Sequence, residues 1–164
     1  MSKMSFEDVV EAICARGSKF APDAYHFVND ALGFTLKKLS KRGVPKSAQA
    51  RHVTGQELLH GIRCYALEQF GPMTRFMLEA WGVQKCEDFG CIVFALVEEG
   101  VFGKTDGDSL EDFGGGYDFE EAFVKPFKPQ RPDTAILSLA RPRKNLKGST
   151  KRPAGKATSK QHEA

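Results

Sequence analysis

The residues best suited to chemistry lie between positions 52 and 64, in the run HVTGQELLHGIRC. On a helix that begins near Gly55, the side chains of Glu57, His60 and Cys64 fall at i, i+3 and i+7 and therefore share one face. The pair His60 and Cys64 suits either a thiol nucleophile with an adjacent base or two of the four ligands of a zinc site.

Zinc would need Cys86 and Cys91 as further ligands, and their spacing is unlike that of a C-x-x-C pair. A Cys64 nucleophile would need an oxyanion donor and a third orienting group, and the sequence identifies neither. We therefore interpret all four cysteines as reduced thiols, and we predict no metal ligand and no cofactor.

Glu57 could act as a general base with His52 or His60. The competing interpretation is structural, because Thr54 followed by Glu57 forms the capping-box pattern that begins a helix. The structural interpretation is favoured, so an enzyme is the less favoured class.

A small-ligand site is the alternative function that this region supports. Gln56 and Arg63 fall on a different helix face from Glu57, and an arginine fork can hold a carboxylate or a phosphate at two points. The candidate ligand-binding residues are His52, Gln56, Glu57, Arg63 and Asp88.

Other signatures of activity are missing from the sequence. Asp106 and Asp108 lack the spaced third ligand and the terminal glutamate of an EF-hand, and no phosphate loop or nucleophile elbow occurs. No run approaches the roughly 18 apolar residues of a membrane span, and the first residues lack the apolar run of a secretory signal. We expect a soluble cytoplasmic protein with no membrane partner.

The charge of the 164-residue chain is divided unevenly. Residues 1–124 carry 13 Lys and Arg against 19 Asp and Glu, whereas residues 125–164 carry 11 against 2. The net charges are therefore −6 and +9, although the whole chain carries only +3. We predict a helical globular domain at residues 1–128 and a largely disordered tail, rich in Pro, Lys and Arg, at residues 129–164.

The tail is the strongest functional cue, because cations spaced among Pro, Gly, Ser and Thr are typical of arms that neutralise phosphates. The candidate nucleic-acid-binding residues are Arg141, Arg143, Lys144, Lys147, Lys151, Arg152, Lys156 and Lys160. No aromatic follows Phe127, so base stacking is excluded and binding would lack sequence preference. A tail that only aids solubility, or that folds back on the acidic body, is the equally weighted alternative.

Apolar residues at helical spacing predict a mainly α fold, a compact bundle of about five helices. Their approximate bounds are 5–15, 22–42, 55–70, 73–81 and 87–99, with a polar connector at 44–51. The fifth segment is apolar on most sides and could instead be a buried strand, but its length favours a helix. Beyond residue 100, aromatics alternate with acids and glycines, which predicts an irregular segment that buries its aromatics on the bundle.

The motifs HVTGQEL, FGPM, WGV and EDFG, taken together, resemble the Minf-type family of small uncharacterised bacterial proteins over about residues 5–125. The resemblance implies a bacterial cytosolic protein and no particular reaction. The positions that match the motifs are His52, Gly55, Gln56, Glu57, Gly61, Arg63, Trp81, Gly82, Asp88, Phe89 and Gly90. Cys64, Cys86 and Cys91 are outside the pattern.

The sequence thus favours a non-catalytic binding or adaptor module. Its body would contact a protein partner, and its tail would contact RNA, DNA or a ribosomal surface.

Overall fold

A computed structural model describes residues 4–41 and 52–129 of the chain. The connector predicted at residues 44–51 and the tail predicted from residue 129, apart from Pro129 itself, lie outside the described residues. All eight candidate nucleic-acid-binding residues lie there too.

The described residues form six α-helices and three single 3₁₀ turns, with no strand among them. The helices are α1 (Phe6–Ala15), α2 (Pro22–Lys41), α3 (Gly55–Phe70), α4 (Thr74–Ala80), α5 (Cys86–Glu98) and the short α6 (Phe119–Phe123). The 3₁₀ turns are Gly71–Met73, Leu110–Phe113 and Lys125–Phe127. The prediction of a mainly α bundle with five principal helices is confirmed, and the strand alternative for residues 91–97 is wrong.

Short polar residues begin two of these helices, α1 at Ser5 and α3 at the predicted Thr54. The Ser5 hydroxyl accepts the backbone N–H of Asp8, whose carboxylate accepts the N–H of Ser5 in return. Thr54 and Glu57 exchange the same pair of bonds at the start of α3. Each exchange satisfies two backbone N–H groups that have no partner inside the helix, and this fixes where the helix starts.

The core lies around α3, which packs against α2, α4 and α5. Its largest fully buried aliphatic and aromatic side chains come from all six helices. They include Val10, Val28, Leu59, Ile62, Leu78, Phe89, Ile92, Leu96 and Phe123. Three of them lie on α5, as expected of a segment that is apolar on most sides.

The apolar residues in and just before α4 do not mark its buried face. Met73 and Phe76 are 53% and 63% exposed, whereas Thr74 and Leu78 are completely buried. The Thr74 hydroxyl lies 2.7 Å from the Gly71 carbonyl and 3.0 Å from the Ala66 carbonyl, so its polar group is satisfied inside the fold. A hydroxyl with such partners can occupy a core position that apolar periodicity assigns to larger side chains.

The segment after α5 behaves as predicted. Phe113, Phe119 and Phe123 are buried, whereas the acids Glu111 and Glu121 remain exposed.

Among the helices of residues 4–41 and 52–129, none combines the length and the apolar character needed to cross a bilayer.

Helices α2 and α3 approach closely where Gly61 on α3 meets Thr35 on α2. A Cβ atom at position 61 would overlap the Thr35 hydroxyl and lie 2.8 Å from the Thr35 Cβ. The hydroxyl is already engaged, because it donates to the Ala31 carbonyl at 2.7 Å. Glycine at this position therefore allows the two helices to meet.

We predict that Gly61→Ala lowers the free energy of unfolding by about 1 to 3 kcal/mol, because α2 and α3 must separate or distort to admit the methyl group. Urea denaturation of the full chain measures it. Gly33→Ala on α2 is the matched control, since its added Cβ meets nothing within 4 Å. The control should be neutral or stabilise the protein by up to about 1 kcal/mol. Equal stability of Gly61→Ala and the unmodified protein would contradict the packing described.

Candidate functional site

The best-formed concavity is a cavity of about 240 Å³ between α2, α3, α5 and the segment that follows α5. Nine of its fifteen lining residues are aliphatic or aromatic, among them Leu32, Leu36, Leu58, Val93, Phe94 and Phe113. We call it the apolar cavity. A concavity lined in this way suits an apolar molecule of matching volume.

Two glycines allow the turn Leu110–Phe113 to close one side of the apolar cavity. A Cβ at Gly55 would lie 3.0 Å from the Cβ of Asp112 and 3.2 Å from the Phe113 ring. A Cβ at Gly90 would lie 3.0 Å from Phe113 and 2.9 Å from Leu110. Because Gly55 and Gly90 have no side chains, Phe113 can pack against α3 and α5 and form one wall of the cavity. Phe113 is only 4% exposed.

Four polar side chains contribute to the lining, and we call them the rim: His52, Lys104, Asp108 and Asp112. Nε2 of His52 lies 2.8 Å from Oδ1 of Asp108, and the two side chains are 35% and 22% exposed. The other Asp108 oxygen accepts two hydrogen bonds from Thr105, one from its backbone N–H at 2.7 Å and one from its side-chain hydroxyl at 2.9 Å. The pair ties the loop after α5 to the residues that precede α3.

The rim carboxylate Asp108 is held in its charged form. Burial raises the pKa of Asp108, but the hydrogen bonds from Thr105 and His52 lower it by more, so its pKa lies below the ordinary value. The sequence singled out His52 and considered Asp108 only for calcium. Their pairing was missed because 56 residues separate them and no local pattern links them.

Lys104 is the other charged group of the rim. Its ammonium lies 5.1 Å from the centre of the Phe94 ring, a cation–π distance. No carboxylate in the described part of the chain lies within ion-pair distance of this ammonium. Nothing in the sequence singles out Lys104, because a single lysine in a glycine-rich loop has no distinguishing spacing.

Glu57, His60 and Cys64 line a second concavity, an open groove of about 390 Å³ between α2 and α3 that we call the polar cleft. Their predicted shared face is therefore confirmed. Nε2 of His60 lies 3.7 Å from the Cys64 sulfur, while the Glu57 carboxylate is bonded to Thr54 at the start of the helix. Gln56 lines the same cleft, contrary to its predicted position on another face, and its amide donates to the Asp112 carbonyl at 2.6 Å.

Arg63 lines neither concavity. It is half-buried, and its Nε is enclosed by protein with no hydrogen-bond partner in the described part of the chain. Its charge acts on Tyr117, whose pKa is raised by burial and lowered in part by Arg63. The Tyr117 hydroxyl donates to the Leu59 carbonyl at 3.2 Å. Arg63 therefore belongs to the packing of α3 against the segment that follows α5.

Asp88 also lies apart from the two concavities, at the start of α5. Its carboxylate accepts the Lys19 ammonium at 2.7 Å and the backbone N–H groups of Gln84 and Lys85 at 2.9 and 3.2 Å. Burial raises the pKa of Asp88, but Lys19 and the two N–H groups outweigh it and hold the pKa below its ordinary value. The five candidate ligand-binding residues are thus distributed over several places.

The cysteines do not assemble a metal site. Within residues 4–41 and 52–129, no three His, Cys, Asp or Glu side chains are placed to hold one ion. Cys86 is buried, and its sulfur lies 3.3 Å from the Tyr117 carbonyl. The zinc arrangement of His60, Cys64, Cys86 and Cys91 is accordingly not formed.

We predict that Asp88→Asn lowers the free energy of unfolding at pH 7 by about 1 to 3 kcal/mol, because Lys19 and two backbone N–H groups lose the charged acceptor that the buried Asp88 carboxylate provides. A carboxyl whose pKa is lower in the folded state stabilises the fold above its unfolded pKa of about 3.9, and this contribution is lost as the pH falls through the folded value. The difference between variant and unmodified protein should therefore shrink below about pH 4.

Denaturation curves measured between pH 3 and pH 7 provide the test. Glu11→Gln, at an exposed position of α1, is the control and should change the stability little at any pH. A pH-independent difference for Asp88→Asn would show that the charge of Asp88 does not contribute.

Comparison with known proteins yields no relative. No family model matches the chain, and neither a curated protein nor a solved structure shows significant similarity to it. The resemblance to the Minf-type family therefore stays a prediction that rests on the motifs themselves.

Proposed function

We propose that this protein is a non-catalytic binding protein whose helical body takes a small apolar molecule into the apolar cavity. The observation that carries the proposal is the composition of the cavity wall, which is aliphatic and aromatic except at the rim. An apolar cavity of about 150 Å³ is known to bind benzene, so one of 240 Å³ has room for about ten carbon atoms.

The positions of the reactive side chains favour binding over catalysis. Among the described residues that line the apolar cavity there is no Ser, Thr or Cys, and the Thr105 hydroxyl beside the His52–Asp108 pair is already bonded to the Asp108 carboxylate. Glu57 is bonded at the start of α3, and His60 and Cys64 face the polar cleft instead. From the sequence motifs alone, we also propose that the protein is bacterial, belongs to the Minf-type family and is located in the cytoplasm.

The second candidate function is contact with nucleic acid or a ribosomal surface through the basic tail, in an adaptor whose body contacts a protein partner. The observation that favours it is the −6 and +9 division of charge along the chain. If about six cations meet duplex phosphates, the logarithm of the affinity should fall against the logarithm of the salt concentration with a slope near −5.

For the cavity, we predict that Val93→Phe weakens binding of 1-octanol at least tenfold, because the larger ring fills the space between α3 and α5. An NMR titration of the full chain measures the affinity. Val124→Phe introduces the same change outside the cavity lining and should bind octanol like the unmodified protein. Val97→Phe, one turn further along α5, serves as a second blocking variant if Val93→Phe is unstable. Equal affinity in blocked and unblocked proteins would rule the cavity out.

For the tail, we predict that replacing its eight candidate cations by glutamine abolishes salt-dependent binding to duplex DNA or RNA. Filter binding at several salt concentrations compares this variant with the unmodified chain. Affinity that is the same in both and insensitive to salt would refute the nucleic-acid function.

A further inference from the structure

We propose that the ligand of the apolar cavity is a medium-chain alkyl or aryl carboxylate, with its apolar part in the cavity and its carboxylate at Lys104. This inference rests on the proposed function and adds the chemical class of the ligand. It follows from the polarity of the wall and from the partners that the rim charges already have.

The acids of the rim already take part in hydrogen bonds that hold the fold. Both oxygens of Asp108 are bonded, one to His52 and the other to Thr105, and one oxygen of Asp112 accepts the Ser109 backbone N–H at 2.8 Å as part of the turn that places Phe113. A cationic head group at Asp108 would have to compete with these bonds, whereas an anionic one at Lys104 would not.

The ammonium of Lys104 is the rim charge with capacity for a further partner. Its contact is the face of Phe94, and Phe94 itself lines the cavity. A carboxylate at the end of an apolar chain could therefore reach the ammonium while the chain packs on the same ring. A charge at the end of a buried chain also fixes which way the ligand enters.

The loop that carries Lys104 is held at both ends. On one side, the backbone N–H groups of Val101 and Phe102 donate to the Leu96 carbonyl at 2.9 and 3.3 Å. On the other, Asp108 is bonded to His52. His52 is thus a positioning residue in this proposal: it anchors the loop, and the contact to the ligand is made by Lys104.

The chain length follows from the volume of the cavity. Room for about ten carbon atoms suits octanoate, whose eight carbons include the carboxylate. Octanoate is accordingly the probe, and 1-octanol and octylamine are its neutral and cationic counterparts of equal chain length.

The test is a titration of the full chain with the three probes at pH 7, for the unmodified protein and for Lys104→Met. Because an exposed ion pair contributes modestly, Lys104→Met should weaken octanoate binding about two- to fivefold and leave octanol binding unchanged. Methionine keeps an apolar stem beside Phe94, so thermal unfolding should be unaltered. Lys125→Met, which removes a cation bonded to Glu121 outside the cavity lining, is the control and should bind all three probes normally.

Charge reversal sharpens the test. Lys104→Glu should weaken octanoate binding by about tenfold and strengthen octylamine binding, and higher salt should reduce both effects. Two results would overturn the carboxylate assignment while the proposed function stands. In one, the unmodified protein binds octanol as tightly as octanoate; in the other, Lys104→Met binds octanoate with unchanged affinity. Failure of octanol and octanoate alike to bind would overturn both.

Discussion

The contact between α2 and α3 at Thr35 and Gly61 is the constraint on which the other features depend. Because Gly61 has no side chain and the Thr35 hydroxyl is bonded within its own helix, the two backbones approach closely. The apolar cavity and the polar cleft are both bounded by this helix pair. A wider separation of the helices would therefore alter both concavities.

The irregular segment after α5 completes the apolar cavity although it has little regular structure. Buried aromatic side chains hold it on the bundle, and each contributes about 1.5 to 3 kcal/mol through the area removed from water. Glycines at positions 55 and 90 let Phe113 reach the helices, and the His52–Asp108 pair fixes the loop that carries Lys104. The same segment therefore supplies apolar wall and polar rim together, which is the combination that a ligand with one charged end requires.

The helices could be predicted from the sequence because residues next to their ends determine where they start and stop. Ser5, Thr54 with Glu57, and the glycines that follow α1 and α3 all mark boundaries that the structure has. The buried face of α4 could not be predicted, since Thr74 is buried by virtue of two carbonyls on other turns. The site residues were harder to predict than the helices. Lys104 and Asp108 reach the rim only through the path of a loop. Asp88 pairs with Lys19, which is 69 residues away in the sequence.

Binding in the apolar cavity can be tested most directly by nuclear Overhauser effects between bound octanoate and methyl groups of the full chain. We predict contacts from the octanoate methylenes to Leu32, Leu58 and Val93, which line the apolar cavity, and none to Leu78, which is buried elsewhere. Contacts confined to exposed apolar residues such as Met73, with none to these three, would contradict it.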